Sequence, residues 1–410
     1  KVKIYGYGGH LQNEKLTEAD LIAYDDLKEL ATCTVNGRRL FYAKGPVSWA
    51  SAGDVTRIRN PYSDYGYYFL TQTDGAPLTV DADAFLQSFY PGNDDYHVLH
   101  EVDNFAWFQG GRNLFEDTPI AKGTSKTYTL ASTARTSIGK VSVVLSAGMA
   151  GSASIKVNGR EMGQINIVLS QYDKGNAAGK TFQVDNLSVN NEVEITTTQG
   201  GPIRLDYIQL TLSEPKPAPD LAAATFPVPE YVHTITNQNL HADGPADMVI
   251  IIPTSQKLLS QAQRLKTFRE KNDGLRVRIV PSDELFNEFS SGTPDANAYR
   301  RYLKMLYDRA ATDADMPRYL LLFGDCAWDN RMNTSEWRQA RTEDYLLCFE
   351  SENSFNEVLC YVDDGFFGLL DDGEGVAPDK SDKLDLAVGR FPVTTEEEAK
   401  ILVDKTISYA

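Results

Sequence analysis

Carboxylates clustered on predicted turns are the part of this sequence whose residue types most clearly suggest chemistry. Residues 343–385 contain 13 acidic and 2 basic side chains, so this segment carries −11 of the total net charge of −17. Within it, Asp363-Asp364-Gly365 and Asp371-Asp372-Gly373 combine carboxylates with turn-forming glycine. Hard carboxylate oxygens are the ligands that calcium prefers. Asp363, Asp364, Asp371 and Asp372 are therefore candidate calcium ligands, and calcium is the predicted cofactor.

A solvated insertion is the competing interpretation of the same acidic segment. Charge runs of this kind more often form a solvated, partly flexible insertion between core strands. The spacing of the carboxylates also differs from that of an EF-hand loop. The sequence therefore favours the solvated insertion and keeps a cation site, whose exact ligands it does not fix, as the functional alternative.

Cys326 is the thiol whose position suggests a reaction. It follows a predicted core strand in Phe323-Gly324-Asp325-Cys326, and ligands bind beyond the carboxyl ends of strands in open α/β sheets. A nucleophilic thiolate also needs a nearby base. His233 and His241 are the histidines closest to this part of the sequence, but both precede its first core strand. A buried structural thiol is therefore the favoured interpretation.

The remaining chemical motifs are weak or absent. His97-x-x-His100-Glu101 suggests a metal site, but the stretch lies in β-rich sequence, where this spacing does not place both rings on one face. Packed or solvated histidines are the plainer interpretation. The sequence contains no HExxH, no phosphate-binding GxxxxGK[ST] and no GxSxG elbow. We therefore predict no organic cofactor, and no catalytic set is complete.

The composition argues against several classes of function. The chain has 40 Lys and Arg against 57 Asp and Glu, whereas nucleic acid binding needs a basic face. The same balance opposes a polybasic membrane attachment, and no run approaches the roughly 18 apolar residues that a membrane helix needs. Lys1 leads directly into a predicted strand. We expect either that a leader was removed or that the sequence begins inside a longer protein.

The first half of the chain has the pattern of β-structure. Residues 1–125 predict a β-rich domain, because aromatic and β-branched runs alternate with Gly, Pro and Asn. Residues 126–212 predict a jelly-roll-like antiparallel β-sandwich with one face of each sheet in water. Asn158-Gly159 within it favours a tight hairpin turn. Residues 213–230 are rich in proline and predict a stiff linker.

Residues 231–410 predict a parallel α/β unit. Met248–Ile252 is an uninterrupted apolar run, as a strand covered on both faces requires. A helix over 255–272 follows and ends at Gly274. Thr394 and Glu397 have the spacing of a capping box at the start of the last helix. Further predicted elements are strands over 275–280, 319–323 and 384–388 and a helix over 296–311. The predicted fold class is therefore multidomain: N-terminal antiparallel β-rich domains followed by a Rossmann-like parallel α/β subdomain.

Motifs between 250 and 410 resemble the gingipain family of cysteine peptidases. The strongest is Leu384-Asp385-Leu386-Ala387-Val388-Gly389-Arg390-Phe391-Pro392-Val393. Segments 286–295, 320–325 and 362–368 also resemble the family. The resemblance implies a caspase-like fold for the α/β part, which is then only the first of two subdomains, and calcium binding there. It also implies peptide hydrolysis by a thiolate that a histidine activates.

Motifs near the start of the chain resemble sortase-type members of this family, which serve the type IX secretion system of Bacteroidota. They are Val2-Lys3-Ile4-Tyr5-Gly6, Phe41-Tyr42-Ala43 and Asn60-Pro61-Tyr62-Ser63-Asp64. The resemblance implies a location at the cell surface and outer membrane. It implies protein substrates with C-terminal sorting domains, outer-membrane secretion proteins as partners, and lipopolysaccharide as the acceptor of cargo.

The resemblance assigns no catalytic residue within this sequence. The family's catalytic His lies in a His-Gly context in the second subdomain, together with the catalytic Cys, and this sequence contains no His-Gly pair. The dyad is therefore expected beyond Ala410. We expect the N-terminal fragment of a surface cysteine endopeptidase, inactive on its own. The alternative is a non-catalytic surface-binding or secretion-assembly protein that works through its β-domains.

Overall fold

The computed structural model describes residues 1–133, 135–375 and 382–410. Its first part consists of short antiparallel strand pairs: β1 with β6, β2 with β3, and β4 with β5. The strands are β1 (Val2–Tyr5), β2 (Thr32–Val35), β3 (Arg38–Phe41), β4 (Val47–Ser48), β5 (Ile58–Arg59) and β6 (Phe69–Gln72). Two short helices accompany them, α1 (Glu18–Tyr24) and α2 (Ala82–Gln87). After helix α1 the chain turns back onto β1, where the Leu30 amide donates to the Ile4 carbonyl.

Two four-stranded antiparallel sheets form the sandwich. Their orders are β11-β10-β13-β8 and β12-β9-β14-β7. Strand β7 pairs with β14, so the second sheet takes its edge strand from residues N-terminal to the predicted start at 126. The domain boundaries themselves stay a prediction. The strands are β7 (His97–Glu101), β8 (Ser125–Ala131), β9 (Gly139–Ala147), β10 (Gly151–Val157), β11 (Arg160–Ile167), β12 (Asn176–Val184), β13 (Asn190–Gln199) and β14 (Ile203–Leu212).

The prediction that one face of each sheet lies in water is wrong for β14, which is buried along nearly its whole length. Its inward side chains join the apolar core between the sheets. Its outward polar side chains pack on the N-terminal part: the Trp49 indole donates to Gln209, and Gln209 and Thr211 both donate to the Asp54 carbonyl, over 2.8–2.9 Å. Burial on this face is therefore polar and hydrogen-bonded, as buried polar groups require.

The predicted hairpin turn is confirmed. Asn158 has φ 49° and Gly159 has φ 78°, the pair of positive angles that a type I′ turn demands. The turn joins β10 to β11, which pair in register from Val157 and Arg160. The turn sets the pairing of the residues next to it, and the register then shifts between Lys156 and Ile155.

The proline-rich segment packs on the N-terminal part over its first half. The Lys216 ammonium donates to the His97 carbonyl, and Leu221 is buried in a small core with Cys33 and Phe85. Arg38 donates to the carbonyls of Leu221, Ala222 and Ala224. From Val228 to Ile235 the chain is exposed. The segment is therefore held in place at its start, and its role as a stiff linker stays a prediction.

The last part is a parallel α/β unit with strand order β16-β15-β17-β18, which confirms the predicted fold class. The apolar faces of β15 alternate: Val249 and Ile251 join a core with α4 and α5, whereas Ile250 and Ile252 join a core with α3 and α6. Both faces are thus covered, as the uninterrupted apolar run predicts. The elements are β15 (Met248–Ile252), α3 (Leu259–Asp273), β16 (Val277–Pro281), α4 (Ser282–Phe289), α5 (Asn297–Asp308), β17 (Tyr319–Phe323), β18 (Ala387–Phe391) and α6 (Glu396–Tyr409).

Three local predictions in this unit can be compared with the structure. Gly274 ends α3 with φ 66°, the left-handed conformation expected of it. Strand β18 lies at 387–391 rather than 384–388, because its pairing with β17 begins at Ala387 opposite Tyr319. The capping box is displaced by one residue: Thr395 caps the helix, and the Glu398 carboxylate accepts from its backbone amide.

Candidate functional site

The carboxyl edge of the parallel sheet carries the candidate site, on the loop that follows β17. Gly324 occupies a position with no room for a side chain, since an added Cβ would lie 2.8 Å from a Pro253 carbon. The next residue fixes the loop on both sides: the Asp325 amide donates to the Val393 carbonyl, and its carbonyl accepts from the Leu346 amide. The backbone of Cys326 then forms an isolated parallel β-bridge with that of Leu346. Backbone pairing thus places the thiol at the end of the sheet.

Arg390 on β18 is the central charged group of this edge. Its Nε and Nη2 atoms donate to the two Asp364 carboxylate oxygens over 2.8 and 2.7 Å, and its Nη1 atom donates to the Gly324 carbonyl over 2.9 Å. The side chain is 10% exposed. A two-point Arg–carboxylate contact is strong and directional. It ties the turn at Asp364 to the loop that carries Cys326.

Two cysteines meet beneath this ion pair. The buried Cys348 has one thiol hydrogen and three acceptors within reach: the Ala327 carbonyl oxygen at 3.3 Å, the Asn330 Oδ1 atom at 3.7 Å and the Cys326 sulfur. The hydrogen bond from Cys348, together with the Arg390 charge, lowers the pKa of the half-buried Cys326 against the effect of its burial. The same hydrogen bond and burial raise the pKa of Cys348. Cys326 is therefore the thiol of the pair that ionises first.

The side chains of Asn330 and Glu350 form a hydrogen-bonded pair next to Cys348. The Asn330 amide donates to the Cys348 carbonyl over 2.9 Å and accepts from its backbone amide over 3.0 Å. It also donates to Glu350 over 3.2 Å. Burial raises the pKa of Glu350 well above its ordinary value. This arrangement holds the Cys348 backbone in place beside Cys326.

Among the described residues, no histidine faces this thiol. The groups with the largest effect on Cys326 are Cys348, Arg390, Asp364 and Asp325. His241, the histidine nearest in sequence, instead bonds to Glu288 and Asp25 over 2.6 and 3.0 Å. Without a base, the geometry at Cys326 does not provide the nucleophile activation that a cysteine peptidase needs. The structural-thiol interpretation is therefore favoured over the catalytic one.

The four predicted calcium ligands each have a protein partner in the described structure. Asp363 accepts from the Gly365 amide over 2.8 Å, and Asp364 pairs with Arg390. Asp371 accepts from the Tyr307 hydroxyl over 3.0 Å. Asp372 accepts from the Lys304 ammonium over 2.7 Å and from the Glu18 amide over 3.1 Å. Two of the four carboxylates are thus already neutralised by cationic side chains.

These partners do not favour calcium at the four carboxylates. Within residues 1–133, 135–375 and 382–410, no group of three or more His, Cys, Asp or Glu side chains is placed to hold a metal. Part of the acidic segment, 376–381, lies outside the described residues. As placed, the donor set does not fit calcium, which takes six to eight oxygens around one ion. The calcium assignment stays a prediction.

The His97 and His100 pair serves packing. His97 stacks on Trp49 with ring centroids 4.5 Å apart, and its two ring nitrogens face the carbonyls of Asn93 and Asp54. His100 packs on the Tyr128 ring, and Glu101 pairs with Arg57. The stretch is strand β7, so the two rings lie on opposite faces. This placement agrees with the packed-histidine interpretation.

Two buried cationic side chains on α5, Arg300 and Lys304, bind backbone carbonyls of the acidic segment. The sequence analysis did not predict this role. Arg300 donates to the carbonyls of Glu14, Leu369 and Glu374 over 2.5, 2.5 and 2.7 Å. Lys304 donates to the Leu370 carbonyl over 2.9 Å. Both side chains are at most 1% exposed. The only sequence signal was their position on a helix whose other face is apolar, which does not identify a backbone-binding role.

Comparison with known proteins finds similarity to peptidases. Residues 241–410 match the model of peptidase family C25. The whole chain is similar to the crystal structure of dimeric latent PorU from Porphyromonas gingivalis, with 28% identity and a TM-score of 0.79. The match covers 100% of this chain and 46% of the PorU chain, so this chain spans less than half of that protein's length. No curated protein is significantly similar to it.

Two carbohydrate-binding domains match part of the chain more weakly. The CBM36-1 domain of a xylanase from the hindgut metagenome of Trinervitermes trinervoides has 14% identity and covers 29% of this chain and 97% of its own, with a TM-score of 0.21. CBM35 from Cellvibrio japonicus Abf62 has 17% identity and covers 28% and 83%, also with a TM-score of 0.21. Scores this low support no conclusion about function. The two stronger matches confirm the predicted resemblance to gingipain-type cysteine peptidases.

Proposed function

Because residues 241–410 match peptidase family C25 and the whole chain resembles PorU, we propose that this chain is the N-terminal part of a cell-surface cysteine endopeptidase. The substrates we propose are C-terminal sorting domains of type IX secretion cargo, cleaved at the outer membrane of a Bacteroidota bacterium. The observation that carries the proposal is the similarity to PorU along every part of this chain. Among the described residues, no helix is long and apolar enough to cross a bilayer.

The chemistry we propose for the whole protein is acyl transfer. A thiolate attacks the scissile peptide carbon, a histidine takes the thiol proton and later protonates the leaving amine, and backbone N–H groups stabilise the oxyanion. An amine of the acceptor then resolves the thioester, and lipopolysaccharide is the acceptor we propose. Outer-membrane secretion proteins are the partners we expect to deliver cargo.

The 410-residue chain should not catalyse this reaction by itself. Within the described residues no histidine lies against Cys326, whose neighbours are a second thiol and an ion pair. This arrangement supports our proposal that the catalytic pair comes from outside these 410 residues. The part described here would supply the β-domains and the first subdomain, against which the catalytic half folds.

Two experiments test the proposal. First, the purified chain is assayed for thiol-dependent cleavage of a cargo C-terminal domain. We expect none, and cleavage that Cys326→Ala abolishes would contradict the role assigned to this chain. Second, the gene is deleted in the source organism and cargo is examined by blotting. We expect cargo that retains its C-terminal domain to accumulate, and normal processing would overturn the proposed function.

The size of the native protein distinguishes the peptidase from the alternative. An antibody against the chain is used to blot cell-envelope fractions of the source organism. A band well above 45.5 kDa in the outer-membrane fraction is expected if the chain continues into a catalytic half. A single band near 45.5 kDa, with no larger precursor and no companion fragment, would instead indicate a binding protein without a dyad.

A further inference from the structure

His241 lies between two carboxylates that come from different parts of the chain. Its Nδ1 atom is 2.6 Å from the Glu288 carboxylate of α4, and its Nε2 atom is 3.0 Å from the carboxylate of Asp25, the residue that ends α1. The ring stacks on Phe289 with the two centroids 4.5 Å apart, which restricts its orientation. The imidazole therefore links the N-terminal part to the α/β unit through both of its nitrogens.

A carboxylate on each side of the ring requires a proton on each ring nitrogen. The neutral imidazole carries one N–H and one lone pair, whereas the protonated ring donates from both nitrogens. An ionised carboxylate can only accept. Only the protonated form of His241 therefore satisfies Glu288 and Asp25 together. Histidine is also the side chain whose charge ordinarily changes between about pH 5 and 8.

Glu288 is the partner that keeps its hydrogen bond when the ring is neutral. Its carboxylate also accepts from the Gln238 side chain and from the backbone amides of Leu240 and His241. Burial raises the pKa of Glu288, but the hydrogen bonds from His241 and these groups outweigh it and lower that pKa overall. The one proton of the neutral ring therefore stays on Nδ1. The Nε2 lone pair then faces the Asp25 carboxylate, and this contact becomes repulsive.

Helix α1 is weakly held at the end where Asp25 lies. All of α1 is described, none of its residues is buried, and its last turn contains no basic residue. A cation near the C-terminus of a helix is favourable, because the unpaired carbonyls there carry partial negative charge. The protonated His241 supplies such a charge beside Asp25, together with Arg309, whose Nη2 atom is 3.7 Å from Asp25. Loss of the ring charge therefore weakens the attachment of α1.

The other charged groups around this contact do not replace the ring charge. They come from α1, α4 and α5 and are Glu18, Glu284, Arg301 and Asp308. Arg301 lies over the Tyr24 ring, and Asp308 pairs with Lys304. None of these groups is a histidine. His241 is thus the member of this set whose charge responds most to pH near neutrality.

We propose that His241 is a pH-dependent clasp between α1 and the α/β unit. At mildly acidic pH the protonated ring holds Asp25 and Glu288 together, and α1 is docked. As pH rises and the ring loses its second proton, Asp25 is released and the C-terminal end of α1 loosens. The clasp concerns the packing of the N-terminal part and does not depend on the proposed peptidase activity.

NMR of the histidine ring nitrogens in the 410-residue chain tests the proton positions. We expect His241 to carry both ring protons at about pH 5 and only the Nδ1 proton at about pH 8. A neutral ring that instead keeps its Nε2 proton would overturn the proposal, because Asp25 would then remain bound. A ring that keeps both protons at about pH 8 would overturn it as well, because the clasp would not open.

Hydrogen exchange of α1 tests the release. After correction for the intrinsic pH dependence of exchange, protection over 18–25 should be up to about fivefold lower at pH 8 than at pH 5, as for the loss of one partly exposed ion pair. Asp25→Asn removes the charge at nearly constant size and should abolish this pH dependence. His241→Gln should show the low protection at both pH values.

His233→Gln is the matched control, because His233 lies in an exposed segment, and it should behave as the wild-type chain does. Equal protection of α1 at the two pH values in the wild-type chain would contradict the clasp. So would a pH dependence that persists in His241→Gln.

Discussion

Arg331, in the loop after β17, forms an ion pair with Asp103, which follows the sandwich strand β7. The Arg331 Nη2 atom and the Asp103 Oδ2 atom are 2.7 Å apart, and the two side chains are only 3% and 5% exposed. Arg331 also pairs with Asp64 of the N-terminal part over 2.8 Å. A single buried guanidinium thus joins three parts of the chain.

Removing this guanidinium should destabilise the fold strongly. Arg331→Ala removes one of the two guanidinium groups that pair with Asp64 and Asp103, the other being that of Arg59, and breaking a buried pair costs about 3–5 kcal/mol. Urea unfolding of the variant should show this loss. Arg160→Ala is the control, because Arg160 and Asp185 are 59% and 71% exposed and such pairs contribute only about 0–1 kcal/mol. Similar losses in the two variants would contradict the role given to Arg331.

Asp206, which pairs with Arg57 over 3.3 Å, should make the stability of the fold decrease as pH rises. Burial raises the pKa of Asp206 to about 8, with Glu101 and Asp103 adding to the effect and Arg57 opposing it. The folded state therefore holds a proton that the unfolded state releases near its ordinary pKa of 3.8. The stabilisation is complete below that pKa and is lost as pH rises through about 8.

Asp206→Asn isolates this contribution. Between the two pKa values, the wild-type free energy of unfolding should fall relative to the variant by up to about 1.4 kcal/mol per pH unit. The measurement is urea unfolding of both proteins across this range. Asp185→Asn, on an exposed carboxylate, should leave the wild-type slope unchanged. Parallel pH curves for wild type and Asp206→Asn would rule out a retained proton.

Arg300 should determine how well residues 369–375 of the acidic segment are ordered. Arg300→Met removes donors to the carbonyls of Glu14, Leu369 and Glu374, and unsatisfied buried acceptors cost about 1–3 kcal/mol each. Hydrogen exchange should become faster over 369–375 and around residue 14, with the sandwich unaffected. Arg264→Met, at a pair with both side chains about two-fifths exposed, is the control. Unchanged exchange over 369–375 in Arg300→Met would show that other contacts hold the loop.

Local patterns in the sequence predicted individual strands, helix ends and turns. They could not predict contacts between residues that lie far apart in the sequence. The run Met248–Ile252, the helix end at Gly274 and the turn at Asn158-Gly159 each follow from residues within a few positions. The Arg331–Asp103 pair spans 228 residues, and no periodicity connects its members.

The candidate site shows the same division. The family motif included Arg390, but its contacts with Asp364 and Gly324 depend on the packing of β18 beside β17. The carboxylates at Asp364 and Asp372 suggested calcium because sequence alone does not show which cations of the chain reach them. Arg390 and Lys304 do so in the structure.

Cys326 should be the most reactive of the four thiols. The hydrogen bond from Cys348 and the Arg390 charge lower its pKa, whereas burial raises the pKa of Cys33 and raises that of Cys360 to about 11. Since the thiolate is the reactive form, iodoacetamide at neutral pH should modify Cys326 first, as read by peptide mass spectrometry. Cys348→Ala removes the hydrogen-bond donor and should slow this modification severalfold. Cys360→Ala should leave the rate unchanged, and an equal rate in Cys348→Ala and wild type would show that the thiol pair does not activate Cys326.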